Sequence, residues 1–245
     1  MRQILAASGK QILRVFPFRM RLALCHLICE ASTFQCSRGT LVELFKLQEL
    51  IEAEIDRCAV RYGNGVHPKH RLTNYHEFFT RRLKPGEVVL DIGCGSGAVA
   101  YSMATAGAFV TGIDLSEENI RIARQYYRHP NLVFMVGDAT KTLSEGQFNT
   151  VVASNVLEHI ADRTGFLRFV QQNIMPERWL LRVPAYDRTW LIPLRQELGL
   201  SQFSDPTHAT EYTMKSFMQE MSSAGMTIRH IERAWGELWA EVTCA

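Results

Sequence analysis

The amino-acid sequence predicts an α/β protein, in which a mostly parallel β-sheet carries helices on both faces and follows a helical extension. From Glu87 onward, short apolar runs alternate with segments of helical periodicity, which is typical of parallel strands that are buried on both faces. A turn with three glycines follows the first apolar run. Two strand-like segments near the carboxyl terminus are joined through Trp235 and Gly236, and they predict a hairpin appended to the parallel sheet.

Residues 1–84 are predicted to form a helical extension or cap. Residues 1–29 contain no acidic residue and five basic ones: Arg2, Lys10, Arg14, Arg19 and Arg21. This composition resembles a mitochondrial presequence, but the apolar residues are denser than a presequence needs, so we favour a structured cap helix broken near Pro17. A helix on a membrane surface is a third interpretation, because basic residues alternate with large apolar ones. Residues 41–62 have helical spacing, and a second helix is expected between Val66 and Leu83.

Residues 85–245 are predicted to form the main domain. The expected strands are Val88–Ile92, Phe109–Asp114, Leu132–Val136, Phe148–Ser154, Trp179–Pro184, Thr227–Ala234 and Glu237–Val242. The expected helices are Gly97–Ala106, Glu117–Tyr127, Ala161–Met175 and Met214–Ala224. In an open parallel sheet, ligands bind beyond the carboxyl ends of the strands, so the residues at those ends are the candidate site.

Composition excludes several classes of protein. The chain has 245 residues, 47% of them hydrophobic, and a net charge of +2, which is too small to indicate a nucleic-acid partner. The longest uncharged run, Ile92 to Ile113, is interrupted throughout by glycine, serine and threonine, so no transmembrane segment is predicted. None of the six cysteines forms a C-x-x-C pair or a zinc-like cluster with histidine, so we expect no metal. A cytoplasmic location fits these features.

The glycine-rich turn is the strongest indication of a ligand. Gly93, Gly95 and Gly97 have the spacing G-x-G-x-G, and Asp91 precedes them. A nicotinamide-binding oxidoreductase would need its third glycine one position later, with a helix amino terminus facing a pyrophosphate. The observed spacing instead favours S-adenosylmethionine, whose methionine part could lie against the exposed backbone. Asp91 would then orient the loop and favour a cation.

Carboxylates and an amide follow the next strands. Asp114 could accept two hydrogen bonds from a ribose diol, or it could simply be the charge before a helix capped by Ser116. Asp138 could accept from an adenine amino group while the next backbone N–H, that of Ala139, donates to the ring; an ordinary turn aspartate is the alternative. Asn155 follows the fourth strand, where it could face the reacting end of the cofactor or cap a helix.

These motifs together resemble class I S-adenosylmethionine-dependent methyltransferases. The resemblance covers about residues 66–243 and rests on the motifs 91-DIGCGSG-97, 112-GIDLS-116, 137-GDA-139 and 154-SNVLEHI-160. It implies a Rossmann-like, seven-stranded sheet whose last strand is antiparallel. It also implies S-adenosylmethionine as cofactor, with S-adenosylhomocysteine as product. The cofactor-binding residues expected from the resemblance are Asp91, Gly93, Gly95, Gly97, Asp114, Leu115, Asp138, Ala139 and Asn155.

The resemblance is to the small-molecule branch of the family, so we expect a sugar, lipid or quinone-type hydroxyl as acceptor. A hydroxyl acceptor benefits from a general base, and the candidates are His208, in the loop of about residues 184–212, and His159, after the fourth strand. His159 could instead hydrogen-bond backbone, and His208 could only stabilise its turn. A non-catalytic subunit that binds the cofactor and acts through its amino-terminal helices is the alternative function.

Overall fold

The computed structural model of the chain describes residues 16–34, 37–143 and 146–244. These residues form two compact units. One contains the chain up to Gly65 together with Glu197–Leu200, and the other contains Val66–Gln196 and the residues from Ser201 onward. Residues 66–84 therefore fall in the unit that contains the sheet, although the sequence groups them with the extension. The domain boundary after residue 84 stays a prediction.

The second unit is built on a seven-stranded sheet in the order β3-β2-β1-β4-β5-β7-β6. The strands are β1 (Val88–Ile92), β2 (Phe109–Asp114), β3 (Leu132–Val136), β4 (Thr150–Ser154), β5 (Arg178–Pro184), β6 (Met226–Ala234) and β7 (Glu237–Cys244). Strands β1 to β5 pair in parallel, and β7 is antiparallel to both β5 and β6. The predicted fold class, including the antiparallel last strand, is confirmed. The order reverses at β1, so its carboxyl end and that of β4 border the crevice where such sheets bind ligands.

Successive residues of each strand point to opposite faces of the sheet, and an apolar core covers each face. One core contains Trp179 and Leu181 of β5, and the other contains Leu180 of the same strand with Val89 of β1. By the same alternation, Asp91 of β1 belongs to the face of Val89. Two cores of apolar side chains thus hold the carboxyl ends of the strands in fixed positions.

Nine α-helices lie within the described ranges. They are α1 (Phe18–Thr33), α2 (Arg38–Tyr62), α3 (Lys69–Leu72), α4 (His76–Thr80), α5 (Ala98–Thr105), α6 (Glu117–Tyr126), α7 (Arg163–Ile174), α8 (Leu191–Glu197) and α9 (Met214–Ser223). The expected break near Pro17 coincides with the start of α1, and the earlier residues, 1–15, lie outside the described ranges. Among the described residues, no helix combines the length and apolar character needed to cross a membrane.

The single helix expected between Val66 and Leu83 is wrong. Two short helices, α3 and α4, occupy this segment, and Asn74 between them has φ 53°. A left-handed residue cannot continue an α-helix, so the chain turns there. The irregular acceptor loop predicted for about residues 184–212 also contains regular structure, namely α8 and a single 3₁₀ turn, Tyr186–Arg188.

Candidate functional site

The glycine turn after β1 is left-handed at each of its three glycines. Their φ angles are 66° for Gly93, 55° for Gly95 and 89° for Gly97, a conformation that glycine adopts without the strain caused by a Cβ atom. A Cβ at Gly93 would lie 2.5 Å from Cγ2 of Val156, whereas a Cβ at Gly95 would meet no atom within 4 Å. Gly93 therefore permits tight packing within the protein. Gly95 leaves open space in front of the backbone.

Asp114, at the end of β2, links this turn to the next helix. Its Oδ2 accepts a hydrogen bond from the backbone N–H of Gly95 at 2.8 Å. Its Oδ1 accepts from the N–H of Ser116 at 2.9 Å and from Nδ2 of Asn119 at 3.1 Å. Ser116 also caps α6, so Asp114 does lie at the start of a helix, as one of its two interpretations required. The hydrogen bond to Gly95 in addition places Asp114 beside the glycine turn. Leu115 follows it with an exposed side chain.

Asp91 and Asn155 are held at the carboxyl ends of the adjacent strands β1 and β4. Asp91 is buried, and its Oδ2 has no hydrogen-bond partner among the residues that the structure describes. Burial, reinforced by the charge of Asp114, raises the pKa of Asp91 to about 8. Asn155 has φ 56°, and its buried Oδ1 likewise lacks a partner within the described ranges. Two unpaired acceptor oxygens thus lie beside the glycine turn.

Asp138 and Ala139 follow β3. Asp138 forms an ion pair with Lys141 at 2.8 Å and accepts hydrogen bonds from the backbone N–H of Thr140, at 3.0 Å, and from its hydroxyl, at 2.6 Å. The hydrogen bond from Lys141, followed by those from Thr140, holds the pKa of Asp138 below its usual range. The turn-aspartate interpretation accounts for these contacts. Ala139 is buried against the core.

The two candidate bases, His159 and His208, lie side by side, with ring centroids 4.7 Å apart. His159 Nδ1 lies 3.0 Å from the hydroxyl of Thr207, and that hydroxyl donates to Asp205 at 2.6 Å. The hydroxyl therefore accepts from His159, which places a proton on Nδ1. Burial, followed by the charge of His208, lowers the pKa of His159.

His208 is oriented by a buried carboxylate. Its Nδ1 lies 3.0 Å from Oε1 of Glu211, and the Glu211 side chain is fully buried. Burial alone would raise the pKa of Glu211, but hydrogen bonds from Ser204 and Arg188 outweigh it and lower the pKa. An ionised Glu211 requires a proton on Nδ1 of His208, which leaves Nε2 free to accept a proton.

Glu158 is a residue that the sequence analysis did not single out. Its side chain is fully buried, and neither carboxylate oxygen has a partner among the described residues. Burial raises the pKa of Glu158 to about 8. One ligand atom each of Glu158, His159 and His208 lie within 4.8 Å of one another. The only signal for Glu158 in the sequence was an acidic residue within the motif 154-SNVLEHI-160.

A largely buried ion pair between Arg182 of β5 and Glu237 of β7 also escaped the sequence analysis. The two side chains are joined by bonds of 2.6 Å, from Nε, and 2.5 Å, from Nη2. The ring of Tyr75 covers the guanidinium carbon at 3.9 Å, and Trp239 Nε1 donates to Glu237 at 3.0 Å. The backbone carbonyl of Arg182 accepts from Asn155 N–H at 2.7 Å, so this group supports the end of β4. The available signal was an arginine in the interior of an otherwise apolar strand.

The sheet order and the glycine turn at its reversal point define a Rossmann-like, nucleoside-binding α/β protein. Residues 67–231 match the family model described as "Methyltransferase domain". The chain belongs to the class I S-adenosylmethionine-dependent methyltransferases, and S-adenosylmethionine is its methyl donor. The predicted family, enzyme class and cofactor are therefore confirmed.

Two curated relatives are ubiquinone biosynthesis O-methyltransferases. That of Bordetella parapertussis is 36% identical over 142 residues, which are 53% of this chain and 59% of the relative. That of Albidiferax ferrireducens is 33% identical over 120 residues, which are 46% of this chain and 48% of the relative. The matches thus span less than two thirds of the relatives' length.

Solved structures show the same fold. Magnesium protoporphyrin IX methyltransferase from Synechocystis PCC 6803, with bound S-adenosylhomocysteine, superposes with a TM-score of 0.57 at 20% identity, covering 71% of this chain and 83% of that one. A TehB-like methyltransferase from Corynebacterium glutamicum superposes with a TM-score of 0.55 at 17% identity, covering 82% and 100%. At these identities the likeness shows the fold alone.

The residues present fit the cofactor. S-adenosylmethionine carries an ammonium and a sulfonium, and the carboxyl ends of β1 and β4 offer two buried oxygens, on Asp91 and Asn155, that have no partner in the described part of the chain. A cation would offset the burial of the Asp91 carboxylate. Gly95 provides a face of backbone free of side-chain atoms.

Proposed function

We propose that this methyltransferase methylates a hydroxyl group of a small, quinone-type aromatic acceptor, with His208 as the general base. The single observation that carries the proposal is the pairing of His208 with buried Glu211, which leaves Nε2 available on a ring that lies against His159. The names of the relatives support the quinone-type acceptor. A phenolic hydroxyl has a pKa near 10, so its deprotonation at neutral pH benefits from a nearby base.

The proposed roles divide between donor and acceptor. When bound, S-adenosylmethionine supplies an electrophilic methyl group on its sulfonium. Asp91, Asn155 and the Gly93–Gly97 turn hold the methionine part. Asp114 and the adjacent Leu115 contact the ribose, and Asp138 with Ala139 contacts the adenine. Alignment of the acceptor with the methyl group supplies much of the rate enhancement, so these residues act by position.

His208 takes the hydroxyl proton at Nε2, while Glu211 keeps Nδ1 protonated and stabilises the imidazolium. Arg188 and Ser204 hold Glu211 in place. His159 lies against the His208 ring and contacts the acceptor in this proposal. Residues 184–196 and 201–212 contribute the acceptor wall, where Trp190 presents an exposed ring. An exposed aromatic side chain suits stacking on an aromatic acceptor.

The experiment measures S-adenosylhomocysteine release from a panel of dihydroxybenzenes with and without prenyl tails. We expect His208→Gln to lower kcat by about 100-fold, and Glu211→Gln by about tenfold. Cofactor affinity, titrated with S-adenosylhomocysteine, should be unchanged in both. His230→Gln, an exposed histidine on β6, is the matched control and should retain full activity. A wild-type kcat in His208→Gln would refute the role of His208 as general base. Absence of turnover with every hydroxylated aromatic compound tested would refute the proposed class of acceptor.

A second candidate for hydroxyl activation is a divalent cation held by Glu158, His159 and His208. The two unpartnered oxygens of buried Glu158 favour it, because a carboxylate and two imidazoles are common metal ligands. Dialysis against a chelator separates the two mechanisms. Unchanged turnover supports His208 as a free base. Loss of turnover that Mg²⁺ or Zn²⁺ restores assigns the deprotonation to a metal ion.

A further inference from the structure

Helix α1 carries an apolar stripe that faces solvent. Met20, Leu24, Leu27 and Ile28 are 54%, 45%, 60% and 54% exposed. Their spacing of i, i+4, i+7 and i+8 puts them on one face of the helix. In a globular unit such a face normally packs against a core. Single exposed apolar residues are common on protein surfaces, whereas a contiguous exposed stripe marks an interaction surface.

The stripe is bordered by positive charge. Successive helical residues are about 100° apart, so Arg19 and Arg21 lie on opposite flanks of the stripe, and both are exposed. The first acidic residue of the chain is Glu30, and five arginine or lysine residues precede it. The stripe therefore lies in a segment whose charge is of one sign over 29 residues.

We propose that the stripe docks on an anionic lipid surface, with α1 lying in the plane of the interface. The four apolar side chains would enter the acyl boundary, while the two arginines extend to the phosphate headgroups. The 16 residues of α1 span about 24 Å, which is less than the hydrocarbon thickness of a bilayer, so the helix lies on the membrane and does not cross it. This inference is independent of the acceptor.

Charge complementarity distinguishes lipid from a second copy of the chain. Two copies packed in parallel through this stripe would bring Arg19 and Arg21 of each copy close to those of the other, and like charges repel. An anionic surface attracts the same two arginines, and this attraction extends over about one Debye length. The positive flanks therefore favour lipid as the partner.

The experiment is flotation of the full chain with phosphatidylcholine vesicles that contain or lack phosphatidylglycerol. We expect binding to the anionic vesicles, weakened several-fold by added salt. Leu24→Glu with Leu27→Glu should reduce the bound fraction by at least about tenfold. Ile51→Glu with Ile55→Glu on α2, where the side chains are 50% and 59% exposed, is the matched control and should bind as wild type.

Folding of each variant is verified by circular dichroism and by titration with S-adenosylhomocysteine. Failure of the wild type to bind anionic vesicles would overturn the proposal, as would equal binding by Leu24→Glu with Leu27→Glu. Light scattering without vesicles tests the other occupant: a wild-type dimer that becomes monomeric in this double variant would assign the stripe to a second copy. A wild type that is monomeric and does not bind anionic vesicles also overturns the proposal.

Discussion

Gly95→Ala tests whether the cofactor lies against the glycine turn. The backbone at Gly95 is left-handed, with φ 55°, and alanine in this region costs about 1 kcal/mol. A Cβ there would meet no protein atom within 4 Å, so no packing cost is added. We therefore expect a loss of about 1 kcal/mol in the free energy of unfolding. The added methyl group occupies the space assigned to the methionine part, so S-adenosylhomocysteine affinity should fall at least about tenfold, or 1.4 kcal/mol.

Two other glycines are matched controls. Gly225 has φ 73° and open space around it, but it lies before β6, away from the carboxyl ends of the parallel strands. Gly225→Ala should lose the same stability with unchanged affinity. At Gly93 a Cβ would lie 2.5 Å from Val156, so overpacking adds to the strain and the total is about 2–4 kcal/mol.

The measurements are urea denaturation without ligand and calorimetric titration with S-adenosylhomocysteine. The reasoning holds if stability falls equally in Gly95→Ala and Gly225→Ala while affinity falls in Gly95→Ala alone. Wild-type affinity in Gly95→Ala would show that the ligand does not contact this turn, and the proposed cofactor site would be refuted.

Three further predictions concern buried ionisable groups. Burial lowers the pKa of His76 to about 4, so the unfolded chain takes up a proton first, and the free energy of unfolding falls as the pH drops from 7 to 4. In urea titrations, His76→Phe should remove about 1 kcal/mol of this loss, a value that allows for partial exposure of the ring. His230→Phe, at an exposed position, should remove none of the loss. Because Asp91 has a pKa of about 8 in the folded chain, this residue destabilises the folded state increasingly as the pH rises from 4 to 8. The stability of Asp91→Asn relative to the wild type should therefore rise by about 1 kcal/mol per pH unit over this range. A pH-independent difference would contradict this reasoning. Arg182→Met leaves Glu237 with the Trp239 hydrogen bond but without its cationic partner, and it should cost about 3 kcal/mol by thermal unfolding. The double variant Arg182→Met with Glu237→Gln should recover much of this loss. No recovery would show that packing and not charge dominates.

The strands and the glycine turn could be predicted because their signals are local. Apolar runs such as Val88–Ile92 and the left-handed requirement at Gly93, Gly95 and Gly97 depend on neighbouring residues alone. The segment from Val66 to Leu83 was misassigned for the converse reason. The break at Asn74 leaves little trace in the apolar spacing, since asparagine also occurs within helices.

The sequence by itself determined the α/β class, the order of the strands along the chain, and the class of cofactor. Only the tertiary structure paired His208 with Glu211, Arg182 with Glu237, and Glu158 with the two histidines. The physical reason is that burial and pKa depend on groups distant in sequence that meet at one edge of the sheet. Periodicity shows which face of a strand is apolar, but it does not show which charge lies opposite.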